Sequence, residues 1–187
     1  PVPAQSFIDD PVYGPVVKEY LEAQKQANSA GKSLSVGGLD RFAEIPQPVR
    51  MLMETNAIYS SDKIKALDFA YADLNADGVS ELVVTFPRYY QYASKAADGS
   101  KEVNCVAVYG QVDGKPQLIA NGAERLQCWV IANGDVVTYG GGGMYGAYSI
   151  YRWNGSEVQE AGKIEYDRVS SEGSETWDMS AKTDNGY

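Results

Sequence analysis

The sequence predicts an α+β domain in which two N-terminal helices pack on a largely antiparallel β-meander of hairpins. Residues 1–56 carry apolar side chains at helical spacing, and residues 57–187 alternate strand-like runs with turn dipeptides. The 187 residues suffice for one domain, 1–187, with a sizeable core. The meander is expected to form a small barrel or a partial propeller-like sheet, and the sequence leaves both open.

The helical part is predicted to begin after an arm, residues 1–9, that shows no period. Pro15 suits the first turn of the first helix, where a missing N–H costs nothing, and residues 28–31 are predicted to end this helix. A second, shorter helix is predicted over 47–55. The apolar face of the first helix comprises Val16, Val17, Tyr20 and Leu21.

The β-rich part is predicted from turn dipeptides that recur roughly every 20 residues, the length of one hairpin and its return. Asn-Gly and Asp-Gly favour type I′ turns, which need positive φ at both central residues. The dipeptides are Asp113-Gly114, Asn133-Gly134, Asn154-Gly155 and Glu172-Gly173. The strands that they join are predicted at about 101–110, 116–121, 125–132, 135–140, 145–153, 156–168 and 175–181.

The loop at 73–81 carries the clearest chemical signal. Its oxygen side chains stand at positions 1, 3, 5 and 9, and Gly78 at position 6 permits a sharp turn. A hard cation such as Ca²⁺ needs six to eight oxygens, which alternate residues of a curled loop can supply. Asp, Asn and Gly also favour plain turns, so a turn without metal is the alternative. The predicted ligands are the side chains of Asp73, Asn75, Asp77 and Glu81 and the carbonyl of Val79.

The loop differs from an EF-hand, since position 12 is Val84 and strand-like runs flank it. The pattern D-x-N-x-D-G-x-x-E-L resembles the strand–loop–strand calcium loops of integrin-type (FG-GAP) and VCBS repeats. Residues 69–84 also resemble a stretch common in uncharacterised secreted proteins and lipoproteins of gut-type bacteria. Integrin-type proteins repeat the motif, whereas this chain has it once. With no base or open coordination position identified, we expect the calcium to be structural.

Composition excludes several classes of function. A net charge of −9 argues against nucleic acid or an anionic membrane surface as partner. The chain has no histidine, which excludes Ser-His and Cys-His nucleophile systems within it. No apolar run is long enough for a transmembrane segment.

The predicted location is extracellular or at the cell surface. Cytosolic Ca²⁺ is scarce, so a single loop of modest charge is expected to fill only outside the cell. The chain starts at Pro1-Val-Pro without a signal peptide, so we expect the export signal or lipid anchor to have been removed.

Two cysteines, Cys105 and Cys128, are predicted in the middle of strands. Next-but-one strands lie about 9.5 Å apart, beyond the reach of a disulfide, so a bond would require the sheet to fold over. A disulfide and two buried apolar thiols are both open. Residues 126–132 are apolar on both faces and are predicted to form a central strand.

A glycine run at 140–143 lies among tyrosines. It is predicted to be a flexible connection or a backbone-lined rim beside a ligand. Tyrosine combines apolar area with a hydroxyl, which suits sugars or peptides, but it is also common in half-buried strands. The candidate ligand-binding residues are Tyr145, Tyr148 and Tyr151.

The predicted function is a calcium-binding interaction module at the cell envelope, with glycan or peptide as candidate partners. The alternatives are a carboxylate-dependent hydrolase acting on glycan or peptide, and a structural spacer of a surface protein. Asp68 and Glu81 are the acidic residues considered for hydrolysis, although nothing singles out a pair. No catalytic residue and no oligomeric state are predicted.

Overall fold

A computed structural model describes residues 4–30, 67–85, 105–122, 126–142, 145–171 and 174–182. The helices are α1 (Ala4–Ile8) and α2 (Gly14–Ala30). The strands are β1 (Asp68–Ala72), β2 (Glu81–Thr85), β3 (Cys105–Val112), β4 (Lys115–Asn121), β5 (Leu126–Val130), β6 (Val136–Gly142), β7 (Tyr145–Trp153), β8 (Val158–Ser171) and β9 (Ser174–Lys182).

The helical part differs from the prediction at its start. The expected arm contains α1, and the chain then turns into α2 with Asp10 capping the turn. The Oδ1 atom of Asp10 accepts the N–H groups of Val12 and Tyr13 at 2.8 and 2.7 Å. The helix predicted over 47–55 lies outside the described residues. No helix in the described part of the chain is long and apolar enough to cross a membrane.

The predicted antiparallel meander of hairpins is found, but the described strands divide it between two sheets instead of forming one barrel or propeller-like sheet. The first sheet has the order β1-β2-β3-β4 and the second has the order β5-β6-β7-β8-β9. Within each sheet, strands that are consecutive in the chain pair with one another, whereas β4 and β5 lie in different sheets, and neither sheet closes into a barrel. The split follows from β2, whose Leu82, Val83 and Val84 are all buried. A strand that is apolar on both faces must be covered on both.

The described residues therefore lie in three layers. The helices cover one face of the first sheet, and the second sheet packs on the other. Tyr20 of α2 lies against Tyr109 of β3 in the helix–sheet core, with their hydroxyls 3.2 Å apart. The core between the sheets comprises Leu74, Val83, Val108, Ile119, Ala120, Cys128, Val136 and Trp153.

Strand β5 is an edge strand of the second sheet, not the central strand that was predicted. Its inner face buries Cys128 between the sheets. Its outer face carries Trp129, which meets Tyr148 of β7 edge to face at 6.3 Å between ring centroids. Both faces are apolar because each has a partner within the protein. The side chain of Cys105 lies outside the described residues, so the disulfide stays an open prediction.

Candidate metal centre

The loop at 73–81 joins β1 to β2 in an antiparallel hairpin, with Ala72 opposite Glu81. Both flanks are strands, as predicted. Two residues inside the loop have positive φ, Gly78 at 85° and Ala76 at 59°. The positive φ of Gly78 was expected because glycine adopts it readily. The positive φ of Ala76 is uncommon for alanine, and nothing in the sequence predicts it. These two residues curl the loop tightly.

The carboxylate of Asp73 faces the backbone of its own loop. Its Oδ1 accepts the N–H of Asp77 at 3.2 Å and its Oδ2 accepts the N–H of Gly78 at 3.0 Å. The Oδ1 of Asp77 accepts the N–H of Val79 at 2.7 Å. Each carboxylate oxygen has a second lone pair, so one N–H bond leaves it able to bind a cation.

The amide of Asn75 links the middle of the loop. Its Oδ1 accepts the N–H of Asp77 at 3.2 Å, and its Nδ2 donates to Oδ2 of Asp77 at 2.7 Å. Asn75 and Asp77 thus lie side by side, as the alternation of ligand positions predicts. Val79, expected to contribute its carbonyl, is exposed.

Glu81 closes the loop from inside the protein. It is only 1 % exposed, and its Oε2 accepts the N–H of Leu74 at 2.8 Å. The pKa of Glu81 is raised above its ordinary value, chiefly by burial and also by the charges of Asp77 and Asp73. The hydrogen bonds from Leu74 and Trp153 lower this pKa but do not cancel the rise. No basic side chain among the described residues forms an ion pair with any of these three carboxylates.

The three carboxylates do not converge in the structure. Within the described ranges, no group of three Asp, Glu, Cys or His side chains is arranged to hold a metal ion. Each of Asp73, Asp77 and Glu81 instead accepts a hydrogen bond from a backbone N–H group. The oxygen-only donor set still fits Ca²⁺, which accepts flexible geometry, and the buried charge of Glu81 is of the sign that a cation would compensate.

Hairpin turns of the second sheet touch this loop, which sequence reasoning missed. A Cβ atom added at Gly155 would lie 2.9 Å from Oδ2 of Asp77 and 3.1 Å from Nδ2 of Asn75. A Cβ atom at Gly134 would lie 1.8 Å from the carbonyl oxygen of Leu74. The Asn-Gly dipeptides marked both turns in the sequence, but a turn signal does not reveal what the turn contacts.

The predicted tyrosines do not share one surface. Along β7, Tyr145 and Tyr151 alternate with Tyr148 and so lie on the opposite face of the strand from it. Tyr145 is 54 % exposed, whereas Tyr151 is half-buried against the core between the sheets. Tyr148 lies on the outer face, with its ring centroid 4.6 Å from that of Tyr139.

The outer face of the second sheet carries an aromatic cluster, defined as Trp129, Tyr139, Tyr148 and Tyr166. Tyr139 and Tyr166 stack at 6.3 Å and their hydroxyls share a short hydrogen bond. That bond, with burial, raises the pKa of Tyr139 to about 12. The glycine run lies largely in β6, and its lack of side chains leaves room for these rings. Gly141 pairs with Gly146, and a Cβ atom at Gly146 would meet the ring of Tyr166.

The acidic residues considered for hydrolysis lie far apart. Asp68 pairs with Thr85 at one end of the β1–β2 hairpin, and Glu81 pairs with Ala72 at the other. Four residues of strand separate them, about 13 Å at 3.3 Å per residue. That exceeds the spacing of a glycosidase pair, and Glu81 is buried.

A shallow cleft of about 390 Å³ lies beside the end of the loop. Two tyrosines in its lining form hydrogen bonds. The hydroxyl of Tyr13 donates to the carbonyl of Ser80 at 3.1 Å, and the hydroxyl of Tyr71 donates to Oδ2 of Asp10 at 2.8 Å. Burial acts to raise the pKa of Asp10, but its hydrogen bonds from Tyr13, Tyr71 and Val12 bring it below the usual value. These bonds tie the start of α2 to the loop.

Comparison of the chain with protein-family models, with curated proteins and with solved structures gives no match. The residues and their geometry therefore carry the functional argument.

Proposed function

We propose that the chain is an exported calcium-binding domain in which the ion is structural, and that it serves as a binding or interaction module at the cell envelope. The observation that carries the proposal is the curled loop between β1 and β2, which carries the oxygen side chains of Asp73, Asn75, Asp77 and Glu81, with no ion-pair partner among the described residues. The resemblance of its sequence to integrin-type calcium loops supports the same conclusion.

A structural role for the ion follows from the surroundings of the loop. Glu81 is buried, so a substrate has no access to the ion from that side. The turns at Gly134 and Gly155 press on the loop from the second sheet. A cation bound here would hold two strands and two turns in place by neutralising carboxylates that otherwise repel one another.

The extracellular location is argued from affinity. Extracellular calcium modules work at dissociation constants of roughly 10⁻⁴–10⁻³ M, and a loop whose carboxylates are engaged with N–H groups suits that weak range. In that case the ion is bound only after export. A lipid-anchored protein of the cell envelope satisfies this condition.

The test of calcium binding is a melting curve. Millimolar Ca²⁺ is about ten times a dissociation constant of 10⁻⁴ M, so it stabilises by about 1.4 kcal/mol, which raises the Tm of a domain of this size by roughly 3–6 °C. Asp77→Ala should remove the gain, because Asp77 lies at the centre of the loop. Asp68→Ala is the matched control, since Asp68 is exposed at the far end of the same hairpin.

A wild-type Tm that is the same in millimolar Ca²⁺ and in chelator would reject the calcium site. If Ca²⁺ raises the Tm of the Asp77→Ala variant as much as that of the wild type, the ion binds elsewhere in the protein.

The aromatic cluster is the surface we propose for the interaction. Half-buried Trp and Tyr rings with polar tips offer stacking area and hydrogen bonds to a glycan or a peptide. We expect binding on a glycan or peptide array that Trp129→Ala weakens, while Tyr145→Ala, at an exposed tyrosine outside the cluster, does not. An array without any ligand would favour a structural spacer.

A further inference from the structure

We propose that the second sheet completes the calcium site, with Gly155 and Trp153 as positioning residues, so that ion binding depends on the packing of the two sheets. This rests on the proposed function. It goes further because the ligands in the loop come only from the first sheet, whereas both positioning residues belong to the hairpin of β7 and β8.

Gly155 approaches the calcium-binding loop closely. A Cβ atom at this position would lie 2.9 Å from Oδ2 of Asp77 and 3.1 Å from Nδ2 of Asn75. Both distances are shorter than an ordinary van der Waals contact. The space that the missing side chain leaves lies directly beside two predicted ligands. Any larger residue must push Asp77 and Asn75 away from their places in the loop.

The turn that contains Gly155 is held by several hydrogen bonds. The Oδ1 atom of Asn154 accepts the N–H groups of Ser156 and Glu157, each at 2.9 Å. The N–H of Asn154 also donates to the carbonyl of Glu157 at 3.3 Å. A turn closed by three hydrogen bonds resists moving aside, so the loop must give way instead.

Trp153 also contacts the loop, at Glu81. The indole is buried and lies on Gly110 of β3, where a Cβ atom would come within 2.5 Å of the ring. The indole lies beside Glu81, because a hydrogen bond from Trp153 is one of the causes that lower the pKa of this carboxyl. The N–H of Leu74 holds Oε2 of Glu81 at 2.8 Å, and the buried indole limits where the rest of the carboxylate can move.

The loop is therefore held by the second sheet as well as by its own hydrogen bonds. The turn holds the positions of Asn75 and Asp77 in the middle of the loop, and the indole restrains Glu81 at its end. Separation of the sheets removes both restraints. Binding of Ca²⁺ and docking of the sheets must then stabilise each other by the same free energy.

The test compares two glycine variants by calorimetric titration with CaCl₂. Gly155→Ala should weaken calcium binding by at least tenfold. Gly114→Ala is the matched control: both glycines lie in hairpin turns at positive φ, 93° and 70°, but a Cβ atom at Gly114 meets nothing within 4 Å. The control carries the same backbone strain without the contact and should change the affinity by less than threefold.

A second pair of variants tests Trp153 and serves if Gly155→Ala fails to fold. Trp153→Phe keeps an aromatic ring but loses the indole N–H beside Glu81, and it should weaken binding at least fivefold. Tyr145→Phe, at an exposed tyrosine of the same strand that lies outside the aromatic cluster, should leave the affinity unchanged. The tryptophan emission change on adding Ca²⁺ should persist in Tyr145→Phe and disappear in Trp153→Phe.

The outcomes separate the two proposals. If the wild type binds Ca²⁺ and the paired variants bind alike, the inference is overturned while the calcium site stands. If the wild type binds no Ca²⁺, the proposed function fails and the inference fails with it. Weaker binding in Gly155→Ala or Trp153→Phe than in its control supports the inference.

Discussion

Asp135 is the second buried carboxylate among the described residues, and its environment is the opposite of that of Glu81. Nε and Nη2 of Arg152 donate to its two oxygens, each at 2.8 Å, and Nδ2 of Asn133 donates at 2.9 Å. The Arg152 hydrogen bonds lower its pKa, burial raises it in part, and the Asn133 bond lowers it further. A buried charge with a bidentate partner stabilises the turn that touches Leu74.

Asp135→Asn should lower the free energy of unfolding by about 1–3 kcal/mol at pH 7, because Arg152 loses its partner. A carboxyl with a depressed folded pKa contributes its stability above the unfolded value of about 3.9, and this is lost as the pH falls through the folded pKa. Urea titrations from pH 7 to pH 2 should therefore show a shrinking difference from wild type.

The control for Asp135→Asn is Glu160→Gln, an exposed carboxyl on β8, which should stay within about 0.5 kcal/mol of wild type. A difference for Asp135→Asn that is constant down to pH 2 would contradict the assignment.

Single residues show how far sequence reasoning reaches in the candidate site. The spacing of Asp73, Asn75 and Asp77 predicted which side chains curl together, because ligand order is local. It could not predict that Trp153 lies beside Glu81, since those residues are 72 positions apart (153 − 81) and meet only through packing of the sheets.

At the scale of elements, the hairpin turns were predicted in position but not in conformation. Only Asp113 and Gly114, with φ of 52° and 70°, have the paired positive angles of a type I′ turn in the described part of the chain. At the next two turns the glycine alone is positive and the preceding asparagine accepts an N–H two residues on. The dipeptide favours a turn, and contacts with the β1–β2 loop select its shape.

Gly134→Ala should cost more stability than Gly114→Ala. Alanine at positive φ costs about 1–2 kcal/mol, which applies to both variants. At Gly134 the new Cβ would also lie 1.8 Å from the carbonyl oxygen of Leu74, so backbone must move and the total should exceed about 3 kcal/mol. Urea unfolding of both variants measures the difference, and equal costs would show that the turn does not press on the loop.

For the whole molecule, the first sheet is a middle layer, and this explains what the sequence could and could not predict. The hairpins and their antiparallel pairing follow from local turns and alternation. The division into two sheets depends on which apolar face meets which, and Leu82-Val83-Val84 shows only that both faces need a partner.

Leu82→Ala should destabilise the protein by about 3–5 kcal/mol, because Leu82 is fully buried between the helices and the first sheet. Leu118→Ala, on β4 of the same sheet, is the matched control. Leu118 is 36 % exposed, so its loss should cost less than about 1 kcal/mol. Similar losses in urea denaturation for the two variants would contradict the layered arrangement.

The ring of Tyr166 lies where a side chain at Gly146 would stand. Two positions 20 residues apart (166 − 146) thus share the volume of one side chain. During evolution, a larger residue can therefore replace Gly146 only if a smaller one replaces Tyr166 in the same lineage. Positions 146 and 166 should therefore covary among diverged descendants of this chain. An alignment in which they vary independently would show that the ring of Tyr166 can adopt another position.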